Sequence, residues 1–266
     1  MTVFLFIIIF RTNFLPKKWY LNHLVRTLRD YELNAINKVD GIAAITYRDA
    51  AFFRGETAVP VIDIPYGVNP EEFTPTYKVN DKPTLYHIGS MNWMPNEEGI
   101  RWFLKNVWEK LKEREPDLKL NLAGRHMPKW LMNLKKKNVK VWGEVPDAKE
   151  FISNNDIAIV PLLSGSGIRI KIIESMAMGK TVITTMIGAE GIQYSEYNNI
   201  IIADNPTKIV ETICRIRKEP EEIIRIGKNA RKLIEDIYDN KKIIERLLIF
   251  YDEISKKKKD ITYINH

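Results

Sequence analysis

The chain has 266 residues, 45% of them hydrophobic, which is enough for one full core or a core plus a smaller lobe and excludes a disordered protein. Its formal net charge of +7 at pH 7 suits nucleic acid, an anionic membrane face or a phosphorylated small molecule, and charge alone leaves all three open. The single cysteine, Cys214, excludes an internal disulfide and indicates a reducing compartment, so we expect a cytoplasmic protein.

The first apolar stretch, Val3 to Phe10, is far shorter than the roughly 20 residues that a membrane-spanning helix requires. It also lacks the basic start and the small-residue cleavage site of a secretory signal. A short run rich in Ile and Phe is typical of a buried parallel strand, and that is our prediction for it.

Helix and strand signals then alternate up to residue 65. Apolar spacing predicts a helix over Lys17 to Lys38, a strand over Gly41 to Ile45, a helix over Tyr47 to Arg54 and a strand over Val59 to Ile64. The segment 66–82 that follows is rich in proline and charged residues and has no apolar periodicity, which predicts a linker between domains.

Strand and helix alternate regularly beyond this segment. We predict strands over Thr84 to Ile88, Lys119 to Ala123, Val139 to Val141, Ile157 to Val160 and Thr181 to Thr184, and helices over Asn96 to Arg114, Pro128 to Leu134, Asp147 to Ser153 and Ile168 to Met178. Helices over Pro206 to Lys218, Pro220 to Glu235 and Lys241 to Ile254 complete the chain. This alternation predicts an α/β fold with a doubly wound, Rossmann-like parallel sheet.

The strongest binding signal is the segment from Pro161 to Glu174, which leaves a strand and enters a helix. Its two glycines, Gly165 and Gly167, would let a ligand approach the backbone, and a helix start attracts phosphate. Arg169 and Lys171 add positive charge at the same end. Glu174 could accept hydrogen bonds from a ribose, or it could form a surface pair with Lys171.

A phosphate-binding P-loop competes for the same region, because Gly179-Lys180-Thr181 matches the end of that motif. The first glycine of the motif would fall on Glu174, however, and the triplet ends a helix instead of opening one. We therefore interpret Gly179 as a helix C-cap.

Two more loops follow predicted strands and could face the same ligand. In the loop from His87 to Asn96, Gly89 and Ser90 leave room for a phosphate or a sugar. In the second loop, Gly124 precedes Arg125, whose side chain could face either the cleft or solvent.

Other chemistries find little support in the sequence. The four histidines and one cysteine show no metal-ligand spacing, so no metal or other cofactor is predicted. The six tryptophans are not interleaved with a basic strip, so a nucleic-acid partner is not expected.

Several motifs, in order, resemble the retaining glycosyltransferases of family 4, also called group 1. They are Pro65-Tyr-Gly-Val-Asn-Pro-Glu-Glu-Phe-Thr-Pro75, Gly89-Ser-Met-Asn-Trp93, Gly124-Arg125, Gly143-Glu-Val-Pro-Asp147, Gly165 to Thr185, and Ile187-Gly-Ala-Glu-Gly-Ile192. The resemblance implies a two-domain GT-B enzyme of hexosyltransferase type (EC 2.4). It would transfer a sugar, with retention and without a metal, from a nucleotide diphosphate sugar to a glycan or lipid-linked acceptor in polysaccharide biosynthesis.

The resemblance also assigns site residues. Arg169 and Lys171 would act on the diphosphate as the catalytic pair, and Glu174 would bind the ribose. The remaining donor-binding residues would be Gly89, Ser90, Asn92, Gly124, Arg125, Glu144, Val145, Ser164, Gly165, Ser166 and Gly167. The family's first glutamate of a spaced pair would fall on Ser166, so the resemblance does not define how the donor sugar is recognised.

The resemblance further divides the chain into domains. Residues 1–65 would be the remnant of an N-terminal acceptor domain, 66–82 the linker, 83–240 the nucleotide-sugar-binding domain, and 241–266 a closing helix with a basic tail. A chain so shortened would bind the donor but be catalytically incomplete. The basic tail fits peripheral contact with the inner face of an anionic membrane. The sequence does not decide the nucleotide base, the donor sugar, the acceptor or the oligomeric state.

Overall fold

The structure is a computed structural model that describes residues 15–264, so the strand predicted over Val3 to Phe10 lies outside the described residues. The chain divides into two compact units. Within the described residues, the smaller unit consists of 15–66, Ser166–Ile168 and 240–264, and the larger unit consists of Gly67–Gly165 and Arg169–Asp239.

Helices and strands alternate along the chain. In order they are α1 (Leu15–Ile36), β1 (Ile42–Ala44), α2 (Tyr47–Glu56), β2 (Val61–Asp63), β3 (Leu85–Ile88), α3 (Met94–Asn106), α4 (Trp108–Arg114), β4 (Leu120–Ala123), α5 (Lys129–Met132), β5 (Val139–Gly143), α6 (Ala148–Ser153), β6 (Ile157–Val160), α7 (Ile170–Ala177), β7 (Thr181–Thr184), β8 (Ile201–Ile202), α8 (Pro206–Ile216), α9 (Pro220–Ile237) and α10 (Asn240–Ile264). A single 3-10 turn, Pro70–Glu72, lies between β2 and β3. None of the helices within residues 15–264 is both long and apolar enough to cross a bilayer.

In the smaller unit, β1 and β2 form a two-stranded parallel sheet that pairs Ile42 with Val61. Thr46 caps α2, because its hydroxyl accepts a 3.0 Å hydrogen bond from the Asp49 backbone N–H. The long helix α10 packs in this unit as well, where Arg246 donates a 2.9 Å hydrogen bond to the backbone oxygen of Asp63.

The larger unit is built on a six-stranded, all-parallel sheet in the order β5-β4-β3-β6-β7-β8. The chain runs outward from β3 to β4 and β5, returns to β6 beside β3, and then runs outward the other way. All residues of β6 and β7 are buried, as expected for strands covered on both faces. The predicted doubly wound α/β fold is confirmed, and its topological switch point lies between β3 and β6.

Two details differ from the prediction. The helix expected over Asn96 to Arg114 is two helices, α3 and α4, which meet at Val107 with the fully buried Trp108 next in the chain. The break turns the indole of Trp108 into the core, and no proline or glycine marks it in the sequence. Strand β8, only two residues long, was not predicted because so short a run carries no periodicity.

The interpretation of Gly179 as a helix cap is confirmed. Gly179 follows α7 in the left-handed region, at φ +69°, and its N–H donates to the Met176 carbonyl at 2.9 Å. The backbone of Gly227 on α9 lies directly against the carbonyl of Gly179, leaving no space for a side chain there. This turn therefore serves packing between helices, unlike a P-loop.

The segment predicted as a linker is fastened to the larger unit. Arg231, only 9% exposed, donates to the backbone oxygens of Pro70 (2.9 Å), Phe73 (2.8 Å) and Ala177 (2.7 Å). The carboxylate of Asp156 accepts hydrogen bonds from Asn80 and Thr84, which lie near the segment's end. The functional roles predicted for the two units stay predictions.

Candidate functional site

The loops after β3 and β6 diverge at the switch point, which is where doubly wound sheets bind ligands. We call the loops 89–93, 124–126 and 143–147, which follow β3, β4 and β5, the glycine wall. We call residues 161–165 and 169–174, which follow β6 and open α7, the cationic wall. The two walls contain nearly all of the predicted site residues.

The glycine wall is held together by backbone contacts. The Gly124 N–H donates to the Gly143 carbonyl at 2.7 Å, and the Gly89 N–H donates to the Ala123 carbonyl at 3.0 Å. Gly124 has φ +141°, and a Cβ atom there would overlap the carbonyl of Gly89. Only glycine fits this position, because both the backbone conformation and the space exclude a side chain.

The side chains of the glycine wall are mostly in solvent. Arg125 and Glu144 form an ion pair with a 3.0 Å N–O distance, and their side chains are 70% and 65% exposed. Ser90 donates to the exposed Asn92 at 2.8 Å, and Val145 is half-buried in the same loop as Glu144. The sequence left it undecided whether Arg125 faces the cleft or solvent, and the structure shows its guanidinium exposed and paired with Glu144, on the neighbouring loop that was predicted to contact the base.

Arg169 is the buried cation of the opposite wall. It is 4% exposed at the N-cap of α7, and burial holds its pKa below the ordinary value. Its guanidinium carbon lies 5.3 Å from the centre of the Trp93 ring, within range of a cation–π interaction, and it donates to the Ile187 carbonyl at 3.4 Å. The guanidinium group is therefore held by two contacts, one with the Trp93 ring and one with the Ile187 carbonyl.

Lys171 lies two residues further along the chain and reaches across to the glycine wall. Its amine donates to the Asn96 side-chain oxygen, and a Cβ atom on Gly89 would be only 2.5 Å from that amine. Burial, helped by the nearby Arg169, lowers the pKa of Lys171 to about 7. Because Gly89 has no side chain, there is room for this amine. Lys171 therefore points to Asn96 and does not form the surface pair with Glu174 that the sequence left as an alternative.

Glu174 supplies a half-buried carboxylate on the same helix. Burial raises its pKa above the ordinary value, although Lys149 and Lys171 act in the opposite direction. Lys149 is held at the start of α6, where its amine donates to the Glu72 carbonyl at 2.8 Å. A carboxylate placed about one turn into α7 can accept hydrogen bonds from a diol next to a bound phosphate.

The loop between β6 and α7 divides between the two units. Ser164 is buried and donates to Glu98 at 3.0 Å, while Gly165, at φ +115°, packs against the ring of Trp93. Ser166 and Gly167 group with the smaller unit, so the site described in the larger unit contains only Ser164 and Gly165 of this loop.

Sequence reasoning missed two residues that join the walls. Trp93 packs against Gly165 and lies near both cations, with the Lys171 amine 5.9 Å from its ring centre, and the Asn96 side-chain oxygen accepts a hydrogen bond from Lys171. A signal was present in the sequence, because the large Trp93 and the polar Asn96 closely follow the small residues Gly89 and Ser90 at the start of α3. Our prediction named Gly89, Ser90 and Asn92 in this loop as ligand contacts and gave Trp93 only as part of the family motif.

The residues present at the switch point offer cations and hydrogen-bond donors more than metal ligands. Within residues 15–264, no group of three or more His, Cys, Asp or Glu side chains is placed to hold a metal ion. Two fixed cations, the N–H groups at the start of α7 and one carboxylate make a site suited to a phosphorylated ligand that carries a diol.

One sequence relative and several solved structures are similar to this chain. The "Uncharacterized 44.6 kDa protein in cps region" of Klebsiella pneumoniae is 27% identical over 170 residues, which cover 60% of this chain and 44% of that protein. Sucrose-phosphate synthase from Thermosynechococcus elongatus matches with a TM-score of 0.67 at 17% identity, over 85% of this chain and 61% of its own. HepE of Anabaena, solved in complex with UDP and glucose, matches with a TM-score of 0.66 at 15% identity, over 87% and 68% of the two chains.

These likenesses to solved structures show a GT-B type of fold, and the chain spans less than two thirds of the first two relatives' lengths. A family profile for "Glycosyl transferases group 1" matches residues 82–219, which include both walls of the site. That match covers more than half of the chain and bears out the resemblance seen in the motifs. The chain belongs to the group 1 glycosyl transferases.

Proposed function

We propose that this chain binds a nucleoside diphosphate sugar at the switch point and takes part in transferring its sugar, with retention, to a glycan or lipid-linked acceptor. The observation that carries the proposal is the cationic wall. Arg169 and Lys171, at the start of α7, both lie within 6 Å of the centre of the Trp93 ring. Fixed cations in a buried setting are suited to the charge of a leaving diphosphate.

Each part of the donor has a counterpart in the two walls. The diphosphate would lie on Arg169, Lys171 and the N–H groups of α7, close to the backbone of Gly89. The ribose hydroxyls would donate to Glu174, and the base would lie against the Glu144–Val145 loop. As the bond between the anomeric carbon and the phosphate oxygen breaks, its electron pair moves onto the diphosphate, where both cations stabilise it. The anomeric carbon bonds to a hydroxyl oxygen of the acceptor, and the proton of that hydroxyl passes to the leaving diphosphate.

The relatives support the class of donor and the setting. HepE was solved with UDP and glucose, which favours a uridine donor. A relative named for the cps region favours polysaccharide biosynthesis. We also propose a cytoplasmic location, a hexosyltransferase type of reaction that uses no metal or other cofactor, and peripheral contact of the basic C-terminal stretch with an anionic membrane.

Thermal unfolding in the presence of nucleotides tests the proposal. UDP, GDP and ADP would each be compared with the matching nucleoside, and a ligand at 100 times its Kd stabilises by about 2.7 kcal/mol. We expect one diphosphate to stabilise the protein well beyond the other two. Failure of all three to bind the folded chain would overturn the proposed function.

A further inference from the structure

We propose that Asn96 is a positioning residue for Lys171, and that its side-chain oxygen holds the ammonium group where the donor's diphosphate binds. The inference rests on the proposed function for the identity of the ligand. The contact between the two side chains itself comes from the structure alone.

Asn96 is held by both ends of its side-chain amide. It is 3% exposed, its Nδ2 donates to the Ser90 carbonyl at 2.8 Å, and its Oδ1 accepts from the Lys171 amine. A carbonyl cannot donate and an ammonium cannot accept, so only this orientation of the amide satisfies both partners. The first turn of α3 therefore aims one side-chain oxygen at Lys171.

The surroundings explain why a neutral oxygen is needed there. The charged and titratable groups that face Lys171 are Arg169 and Glu174 from its own helix and His87 from β3. His87 is buried with Nδ1 2.8 Å from the Ile159 carbonyl, and burial with the nearby Lys171 lowers its pKa to about 3, so the ring is neutral. Asn96 holds the amine without cancelling its charge.

A fixed ammonium is an advantage for binding a diphosphate. Lysine has four flexible carbons, and ordering them at the moment of binding reduces affinity. Asn96 orders them beforehand, and the bare Gly89 leaves the space that the amine occupies. In Asn96→Ala we expect the affinity for UDP to fall about tenfold, which is about 1.4 kcal/mol, with the affinity for uridine unchanged.

A double-mutant cycle separates positioning from a general loss of structure. If Asn96 acts through Lys171, Asn96→Ala should weaken UDP binding in the wild-type background and have little effect in the Lys171→Met background. Asn106→Ala is the matched control, since Asn106 lies at the far end of the same helix and its side chain donates to the Trp102 carbonyl at 2.9 Å. Equal losses in both backgrounds would overturn the inference.

The pH profile supplies a second readout that a purely structural role would not move. Lys171 loses its proton near pH 7, so UDP affinity should fall as the pH rises above 7, where the phosphate, with a second pKa of about 6, is already fully charged. A carboxylate in Asn96→Asp would favour the ammonium and shift this fall to higher pH, whereas a structural effect would lower affinity equally at every pH.

The Lys171 Cε resonance, followed by NMR in the ligand-free protein, separates the two proposals. We expect Asn96→Asp to raise the pH at which this resonance titrates, whether or not a nucleotide binds. The same titration in both proteins would overturn the positioning inference alone. A shifted titration in a folded chain that binds no nucleoside diphosphate would instead overturn the proposed function and, with it, the role of this contact in donor binding.

Discussion

The two walls of the site carry similar side chains in opposite surroundings. Arg125 of the glycine wall pairs with Glu144 in solvent at 70% exposure, whereas Arg169 of the cationic wall is 4% exposed against Trp93. An exposed pair is screened by water and contributes little, while a buried charge acts at nearly full strength on an anion beside it. Burial, more than the type of residue, decides which arginine can serve a diphosphate.

The walls also differ in what holds them. The glycine wall is fixed by backbone atoms that approach one another because side chains are absent, as at Gly89 and Gly124. The cationic wall is fixed by side chains, with Trp93 and Asn96 reaching across to its two cations. We therefore expect substitutions in the first wall to affect stability and substitutions in the second to affect binding.

The largest effect is expected for Gly124→Ala. The added Cβ atom would meet the Gly89 carbonyl at a φ of +141°, and we expect a loss of about 3 kcal/mol in the free energy of unfolding, measured with urea. Gly143→Ala is the control, because that glycine also has a positive φ but its Cβ would meet only the Met132 side chain, 3.8 Å away. Its cost should be about 1 kcal/mol, and equal losses would contradict the backbone contact.

Arg169→Ala should have the next largest effect, on binding. Loss of the buried cation should weaken UDP about 100-fold and leave uridine unchanged, as measured by calorimetry. Arg125→Ala should weaken UDP by no more than about threefold, because its charge is exposed. Similar losses for the two arginines would show that burial does not separate the walls.

Glu174→Gln should have a smaller effect that extends to the nucleoside. A neutral amide accepts weaker hydrogen bonds from a ribose, so we expect uridine and UDP each to bind about tenfold more weakly. The matched control is Glu211→Gln, an exposed glutamate on α8 outside the site. A loss confined to UDP would place Glu174 at the phosphates and remove it from the ribose.

The smallest effect is expected from chelation. Two fixed cations face the proposed diphosphate, and we expect EDTA to change the affinity for UDP by less than about twofold. A collapse of affinity with EDTA that magnesium restores would mean that the cationic wall does not carry the diphosphate by itself.

The strands around the switch point could be predicted from sequence because buried parallel strands are continuous apolar runs bounded by turns. The loops after them followed, since ligands bind beyond the carboxyl ends of such strands. The break at Val107 could not be predicted, because it arises from the packing of Trp108 and not from a local breaker.

The contact between Asn96 and Lys171 could not be predicted from the sequence for a different reason. The two residues are 75 positions apart and meet only because β3 and β6 are neighbours in the sheet. Local patterns can identify each loop, but they do not show which side chains meet across the switch point.

Backbone amide protons in the segment between Val68 and Thr84 should exchange with solvent more slowly than those of an ordinary loop. The amide protons of Val68, Thr76 and Thr84 are held by the Tyr238 carbonyl (2.8 Å), the Met178 carbonyl (3.1 Å) and the Asp156 carboxylate (2.7 Å). The buried Arg231 also binds the backbone oxygens of Pro70 and Phe73 in the same segment. These protons should therefore exchange with solvent as slowly as those of the neighbouring sheet, in one cooperative opening of the larger unit.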